Sequence, residues 1–244
     1  YTSHMRSETS RLIEALDETL AIGRLTGIRV QVSHLKASGR KNWHLLDTAL
    51  KPYPCCHFNH AFIDAAAALR QRHDIAVASI ERVTCWIAPR QMPIVCEPEA
   101  SKRRPRTDYD AKFSLPYAVA CMLTRGRVGI DDFDDASIGD EALLGLAARV
   151  ECLPDPASDY PSRFGGRIAV ELAGGRVLEH AEPVNRGSAE RPLTDREVAE
   201  KFAANAARTV SRRAAEEIER RVAALDAGDG DSDVGALLGA LRLA

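Results

Sequence analysis

The sequence shows no long hydrophobic run, no strong excess of one charge and no pattern typical of a secretory leader. No apolar stretch approaches the roughly 18 residues that a membrane-spanning helix needs, so we expect no transmembrane segment. The net charge of −2 gives no electrostatic reason to expect nucleic-acid binding. The polar N-terminus has no short apolar core followed by a small-residue cleavage site, so we expect no signal peptide.

The sequence also lacks a CxxC pair, although it contains 6 cysteines. Cys55 and Cys56 are adjacent, a spacing that suits neither an ordinary disulfide nor a zinc ribbon. Several of the other cysteines lie in apolar stretches, as buried free thiols do. We therefore predict a protein of the reducing cytoplasm.

The first fifty residues have the pattern of one helix followed by one strand. Leu12, Leu16 and Leu20 repeat at helical spacing, which predicts a helix over residues 10–25. Residues 28–32 alternate like a short strand. A helix followed by a strand is one step of a larger α/β fold, and a single step cannot bury both faces of its strand.

From residue 51 onward the patterns predict an α+β fold, with a small, mainly antiparallel sheet and packed helices over residues 51–190. C-terminal helices over 191–225 and a flexible tail over 226–244 are expected to follow. Thr194 and Glu197 form a capping-box pattern at the start of these helices. The other predicted elements are helices at 58–72, 111–125, 139–147 and 211–224, strands at 75–88 and 150–153, a hairpin at 167–180, a loop at 89–110 and a solvated acidic loop at 131–135.

Two histidines in the first fifty residues are candidate metal ligands. His4 stands in a polar segment, and His34 directly follows the predicted strand. In barrel enzymes, ligands lie at the C-terminal ends of strands. Two imidazoles with a carboxylate or thiolate would hold zinc and leave a position for water. A cloning scar around His4 and a structural role for His34 are the alternatives.

The segment SHMRSE, the helix after it and the segment VQVSHLKASGRKNW resemble the D-aminoacylase (N-acyl-D-amino-acid deacylase) branch of the amidohydrolase superfamily over residues 1–48. This resemblance implies a zinc enzyme with His4 and His34 as ligands. The early HxH motif and the late catalytic aspartate of that family have no matching segment here. We therefore interpret residues 1–50 as a helix–strand fragment of an amidohydrolase barrel.

A second polar cluster surrounds the start of the predicted helix 58–72. His57, His60 and Asp64 share one helix face, roughly opposite the apolar positions. A lysine such as Lys51 beside that face suits a substrate with several carboxylates. The alternative is a solvated helix face with a surface lysine.

Four segments, KPYPCCHFNHAFIDAA, FSLPYAVACML, RIAVELAGGRV and PLTDREVAEKF, occur in an order that resembles the MmgE/PrpD family over residues 51–215. That family includes 2-methylcitrate dehydratase and cis-aconitate decarboxylase. The resemblance implies an all-helical domain beside a smaller α/β domain, an active site between them, no metal or organic cofactor, and a possible homodimer. Residues 51–190 would be the smaller domain.

By the same resemblance, Lys51, His60 and Tyr117 would be the catalytic residues of this domain. Cys56 stands where some relatives have histidine. The aspartate, histidine and lysine of the helical domain would belong upstream, where this chain has the amidohydrolase-like segment instead.

Three functions follow as hypotheses. The first is an MmgE/PrpD-type lyase that removes water or carbon dioxide from a small tricarboxylate-like substrate. The second is a zinc-dependent N-acyl-D-amino-acid deacylase that uses His4 and His34. The third is a non-catalytic fusion relic or interaction domain, which we favour for the isolated chain because each half lacks part of its expected active site.

Overall fold

The computed structural model describes residues 2–3, 7, 10–28, 31–32 and 50–227. The chain divides into two units, residues 1–50 and 51–244. The candidate metal ligands His4 and His34 lie outside the described residues, as does the tail from residue 228 onward.

The first unit contains a strand, a helix and a second strand. Strand β1 (Thr2–Ser3) pairs in parallel with β2 (Gln31–Val32), and helix α1 (Leu12–Thr26) lies between them in sequence. Gly27 ends α1 with a positive φ of 71°, a backbone conformation that glycine adopts without strain. The predicted helix and strand are present, but the strand is only two residues long.

The predicted apolar stripe of α1 was wrong in detail. The buried face consists of Leu12, Ala15 and Thr19, whereas Leu20 is 39% exposed. Thr19 is accommodated because its hydroxyl donates a hydrogen bond to the carbonyl of Ala15.

The second unit is built on a four-stranded mixed sheet in the order β4-β3-β5-β6. The strands are β3 (Ile80–Ile87), β4 (Val150–Pro154), β5 (Gly166–Leu172) and β6 (Arg176–Glu182). Strand β3 runs parallel to β4 and antiparallel to β5, and β5 and β6 form the predicted hairpin. The α+β fold class is therefore confirmed, with one parallel pairing in a sheet expected to be mainly antiparallel.

Two buried helices form the core beside this sheet. Helix α2 (His60–Arg72) packs against β5, β6 and α6 (Leu115–Arg125). Residues 115–123 of α6 are all buried, as expected for a helix that is apolar on every side. Ser114 caps its start by accepting the N–H of Tyr117, and Gly126 ends it with a φ of 71°.

The predicted loop over residues 89–110 was wrong. This part of the chain contains three short helices, α3 (Met92–Val95), α4 (Glu99–Arg103) and α5 (Asp108–Lys112). Each is only four or five residues long, so none shows a hydrophobic period that the sequence could reveal.

The predicted solvated acidic loop over residues 131–135 was also wrong. Ile130–Phe133 forms a 3-10 turn in which Asp132 and Phe133 are buried. Asp132 accepts hydrogen bonds from Arg125 at 2.8 Å, Arg127 at 3.3 Å and the backbone N–H of Gly129 at 2.7 Å. Because these donors compensate its charge, the carboxylate can be buried.

The remaining helices are α7 (Asp135–Ile138), α8 (Glu141–Ala147), α9 (Asp195–Ala206) and α10 (Arg212–Ala227). The predicted capping box of α9 is confirmed. Thr194 accepts the N–H of Glu197 at 3.2 Å, and the Glu197 carboxylate accepts the N–H of Thr194 at 2.8 Å. Within the described ranges, none of the helices combines the length and apolarity needed to cross a bilayer.

A close approach between the sheet and α2 makes Gly166 sensitive to substitution. A Cβ at Gly166 would lie 2.8 Å from two ring carbons of Phe62, which is fully buried. We expect Gly166→Ala to lower the free energy of unfolding by about 1–3 kcal/mol because the ring must move within a packed core. Urea unfolding measures this change.

Gly145→Ala is the matched control, because a Cβ at this exposed position in α8 meets no atom within 4 Å. We expect it to leave stability unchanged or to raise it by up to about 1 kcal/mol, since alanine favours helix over glycine. An unfolding midpoint for Gly166→Ala equal to that of the wild type would contradict the proposed close contact.

Candidate functional site

A cavity of about 550 Å³ lies beside the entry to α2. It is bounded by residues 51–54, the turn that follows α6, and helix α9. Six charged side chains line it, namely those of Lys51, Arg127, Arg186, Glu197, Glu200 and Lys201. A larger cavity of about 650 Å³ lies elsewhere, near Arg104 and Asp135, and contains none of the residues predicted to act. The smaller cavity is therefore the candidate site.

Lys51 is the one predicted catalytic residue that lines this cavity. Its Nζ donates to the carbonyl oxygen of Cys55 at 3.4 Å. Its own carbonyl oxygen accepts a hydrogen bond from Lys201 Nζ at 2.6 Å. The ammonium group of Lys51 is thus held at the cavity by a neutral oxygen, which leaves it available to an anion.

A hydrogen-bonded network around Arg186 contributes part of the cavity wall. Tyr53 donates its hydroxyl to Asp64 Oδ1 at 2.7 Å, and Arg186 Nη2 donates to the Tyr53 hydroxyl oxygen at 2.9 Å. Arg186 also donates from Nε to Asp64 at 3.2 Å and from Nη1 to Glu197 at 2.5 Å. We call Tyr53, Asp64, Arg186 and Glu197 the arginine network. It joins α2, the segment before α2, the loop after β6, and α9.

This network argues against the alternative of a solvated polar face on α2. His60 and Asp64 are buried, as are Phe62, Ile63, Ala65 and Ala66 on other sides of the helix. Polar residues can be buried inside a protein when groups from other elements form hydrogen bonds with them. In the described part of the chain, Asp64 Oδ2 and His60 Nδ1 have no hydrogen-bond partner.

His60 is fully buried and does not line the cavity. Its Nε2 lies 3.4 Å from the Cys55 carbonyl oxygen, and its ring meets Tyr53 edge-on at 5.4 Å. Burial, together with the positive charges of His57, Lys51 and Lys201, lowers the pKa of His60 to about 3. His60 is therefore neutral at pH 7 and packs against the arginine network, while its predicted catalytic role stays a prediction.

His57 lies next to His60, with the ring centroids 5.0 Å apart. Its Nε2 is 2.6 Å from Asn185 Nδ2, and its ring stacks on Phe164. Burial, and then the charge of Lys51, lower its pKa. These contacts fix the orientation of the segment that carries Lys51 into α2.

Tyr117 lies in the core on α6 rather than at the cavity. Its side chain is fully buried, and its hydroxyl donates to the carbonyl oxygen of Asp132 at 2.6 Å. Burial raises the pKa of this phenol. In this conformation Tyr117 ties α6 to the 3-10 turn, and its predicted role at the substrate stays a prediction.

A zinc centre formed by His4 and His34 cannot be located, because both histidines lie outside the described residues. Among the residues that are described, no group of three His, Cys, Asp or Glu side chains is placed to hold a metal ion. The zinc-dependent alternative therefore stays a prediction.

Sequence reasoning missed Tyr53, Arg186 and Lys201. Lys201 lies within the segment PLTDREVAEKF, and Tyr53 within KPYPCCHFNHAFIDAA, but nothing local marks either as part of a site. Arg186 and Asp64 are separated by 122 positions in the chain. Only the folded structure shows that these residues meet.

Sequence comparisons with known proteins match the second unit of the chain to one family. The family model of the MmgE/PrpD C-terminal domain matches residues 53–227. A cis-aconitate decarboxylase-like protein of Aspergillus oryzae is 25% identical over 205 residues, which cover 81% of this chain and 42% of that protein. Human cis-aconitate decarboxylase is 27% identical over 167 residues, which cover 68% of this chain and 34% of that enzyme. The chain thus spans less than half the length of these relatives.

Proposed function

Because the chain belongs to the MmgE/PrpD C-terminal domain family, we propose that residues 51–227 form the carboxylate-binding domain of a lyase. The proposed substrate is cis-aconitate or a closely related small polycarboxylate, and the proposed reaction is loss of carbon dioxide. The names of the fungal and human relatives support this choice of substrate.

The observation that carries the proposal is the position of Lys51. Its ammonium group lines the cavity and donates to a backbone carbonyl, and no carboxylate among the described residues forms an ion pair with it. An ammonium group has three donors, so two remain for a ligand. Charge-assisted hydrogen bonds from such donors are the usual means of holding a carboxylate.

In the proposed reaction, the carbon–carbon bond to one carboxylate of the substrate breaks. The electron pair of this bond moves into the adjacent carbon–carbon double-bond system, and a carbon atom takes up one proton as carbon dioxide leaves. Lys51 would hold one of the carboxylates that remain. Because His60 is neutral in this conformation and carries no imidazolium proton, we assign this proton to solvent.

The test is release of carbon dioxide from carboxyl-labelled cis-aconitate by the full chain. We expect the wild type to bind cis-aconitate in calorimetry, even where the release of carbon dioxide needs the other half of the active site. Lys51→Met should reduce this binding, and any turnover, at least tenfold, since a charge-assisted contact contributes about 1.5–3 kcal/mol. Lys112→Met is the matched control, because this variant also removes one lysine charge. Lys112 lies on α5, where it pairs with Asp108 outside the cavity.

Other substrates separate the alternatives. Dehydration of 2-methylcitrate without decarboxylation would keep the lyase class and change the substrate. Zinc-dependent hydrolysis of an N-acyl-D-amino acid would favour the deacylase. If no substrate is turned over and calorimetry detects no binding of cis-aconitate, the lyase proposal is wrong and a non-catalytic role is favoured.

A further inference from the structure

Lys201 provides a second positive charge at the cavity, from a different part of the fold. It lies on α9, lines the same cavity as Lys51 and donates from Nζ to the Lys51 carbonyl oxygen at 2.6 Å. This contact places the Lys201 ammonium group directly beside the Lys51 backbone. Like Lys51, Lys201 has no ion pair with a carboxylate in the described part of the chain.

The other charged residues of the cavity are already paired. Glu197 is bound by Arg186, and Glu200 accepts from Arg196 at 2.8 Å. Arg127 pairs with the buried carboxylate of Asp132 at 3.3 Å. Lys51 and Lys201 are therefore the two cations of the cavity whose charge no described carboxylate neutralises.

Two ammonium groups that line one cavity repel each other, and an anion bound between them reduces this repulsion. A monocarboxylate has one anionic group and can neutralise one of them. A ligand with two carboxylates separated by a short carbon chain can form charge-assisted hydrogen bonds with both lysines at once. The arrangement thus favours a ligand that carries at least two carboxylates.

We infer that Lys201 is a substrate-binding residue that holds a second carboxylate, so that Lys51 and Lys201 together select di- and tricarboxylates over monocarboxylates. The inference rests on the proposed function, because it assigns the ligand of the same cavity. It adds a residue and a rule of specificity that can fail while the proposed function holds.

The experiment is calorimetric titration of the full chain with tricarballylate, an unreactive saturated tricarboxylate, and with butyrate, a monocarboxylate. We expect the wild type to bind tricarballylate more tightly than butyrate. Lys201→Met is expected to weaken tricarballylate binding at least tenfold and to change butyrate binding less than twofold. Lys201→Arg, which keeps the charge, should restore most of the affinity, and Lys112→Met should bind as the wild type does.

Lys201→Gln is a second variant that removes the charge but keeps a polar side chain. Thermal unfolding of each variant verifies that the chain remains folded. If Lys51→Met weakens tricarballylate binding but Lys201→Met and Lys201→Gln do not, the inference is wrong and the proposed function stands. An equal loss of affinity for tricarballylate and butyrate in Lys201→Met would also overturn the inference. Lys201 would then attract any anion through its positive charge and would not hold a second carboxylate. If the wild type binds neither ligand, the proposed function fails together with the inference.

Discussion

Replacing Arg186 with methionine is expected to lower the free energy of unfolding by about 2–4 kcal/mol. Arg186 donates to the carboxylates of Asp64 and Glu197, and Asp64 is only 6% exposed. Methionine keeps much of the length of the side chain but removes every donor. The Asp64 carboxylate would then remain buried with Tyr53 as its hydrogen-bond donor, and an uncompensated buried charge is strongly destabilising.

Arg163→Met is the matched control for this loss. Arg163 also makes a two-pronged contact with a carboxylate, that of Glu190, but both side chains are about half exposed. Such a surface pair contributes about 0–1 kcal/mol. Urea unfolding of both variants measures the difference.

A double variant, Arg186→Met with Asp64→Asn, should recover part of the lost stability because it removes the buried charge together with its partner. A stability for Arg186→Met equal to that of Arg163→Met would show that the arginine network does not hold these elements together.

The free energy of unfolding is expected to fall by about 2 kcal/mol between pH 7.5 and pH 5 through His60 alone. The pKa of His60 is about 3 in the folded protein, against 6.5 for an ordinary histidine. Below pH 6.5 the unfolded chain therefore binds a proton that the folded protein does not bind. Stability from this residue is fully present above pH 6.5 and decreases as the pH falls towards 3.

His60→Gln tests this assignment, because the variant has no imidazole to protonate at this position. The measurement is the slope of unfolding free energy against pH for the wild type and the variant, so a constant loss of packing in the variant does not affect the comparison. Glu197, whose pKa is lowered to about 2 by the Thr194 N–H and by Arg186, contributes below the chosen range. Identical slopes in the two proteins would contradict the buried neutral state of His60.

The secondary structure of residues 51–227 was predictable where short-range signals are strong. Gly126 marks the predicted end of α6 through its left-handed backbone conformation, and Thr194 marks the start of α9. The start of α6 was predicted wrongly, because the helix expected over 111–125 is interrupted after α5 and resumes at Leu115, where Ser114 caps it. These signals act between residues a few positions apart. The single-turn helices between residues 89 and 110 have no comparable period, so they were missed.

The candidate site was predictable only in part. The family resemblance of residues 51–215 is confirmed. Lys51 lines the candidate cavity, and its catalytic role stays a prediction. His60 was expected to act on the substrate, and its buried, neutral ring packs against Tyr53 without lining the cavity, so this role stays a prediction. A helical wheel assigns residues to faces, but it cannot show that α6 and the sheet both pack against α2 and bury its first two turns.

The sequence by itself determined the family, the main helices and the hairpin. These properties depend on motifs and on interactions between near neighbours in the chain. Only the tertiary structure decided which distant residues meet, because the Lys201–Lys51 contact spans 150 positions and the Arg186–Tyr53 contact spans 133. Such contacts form when helices and strands pack to bury apolar surface, and no local pattern specifies which polar side chains this packing brings together.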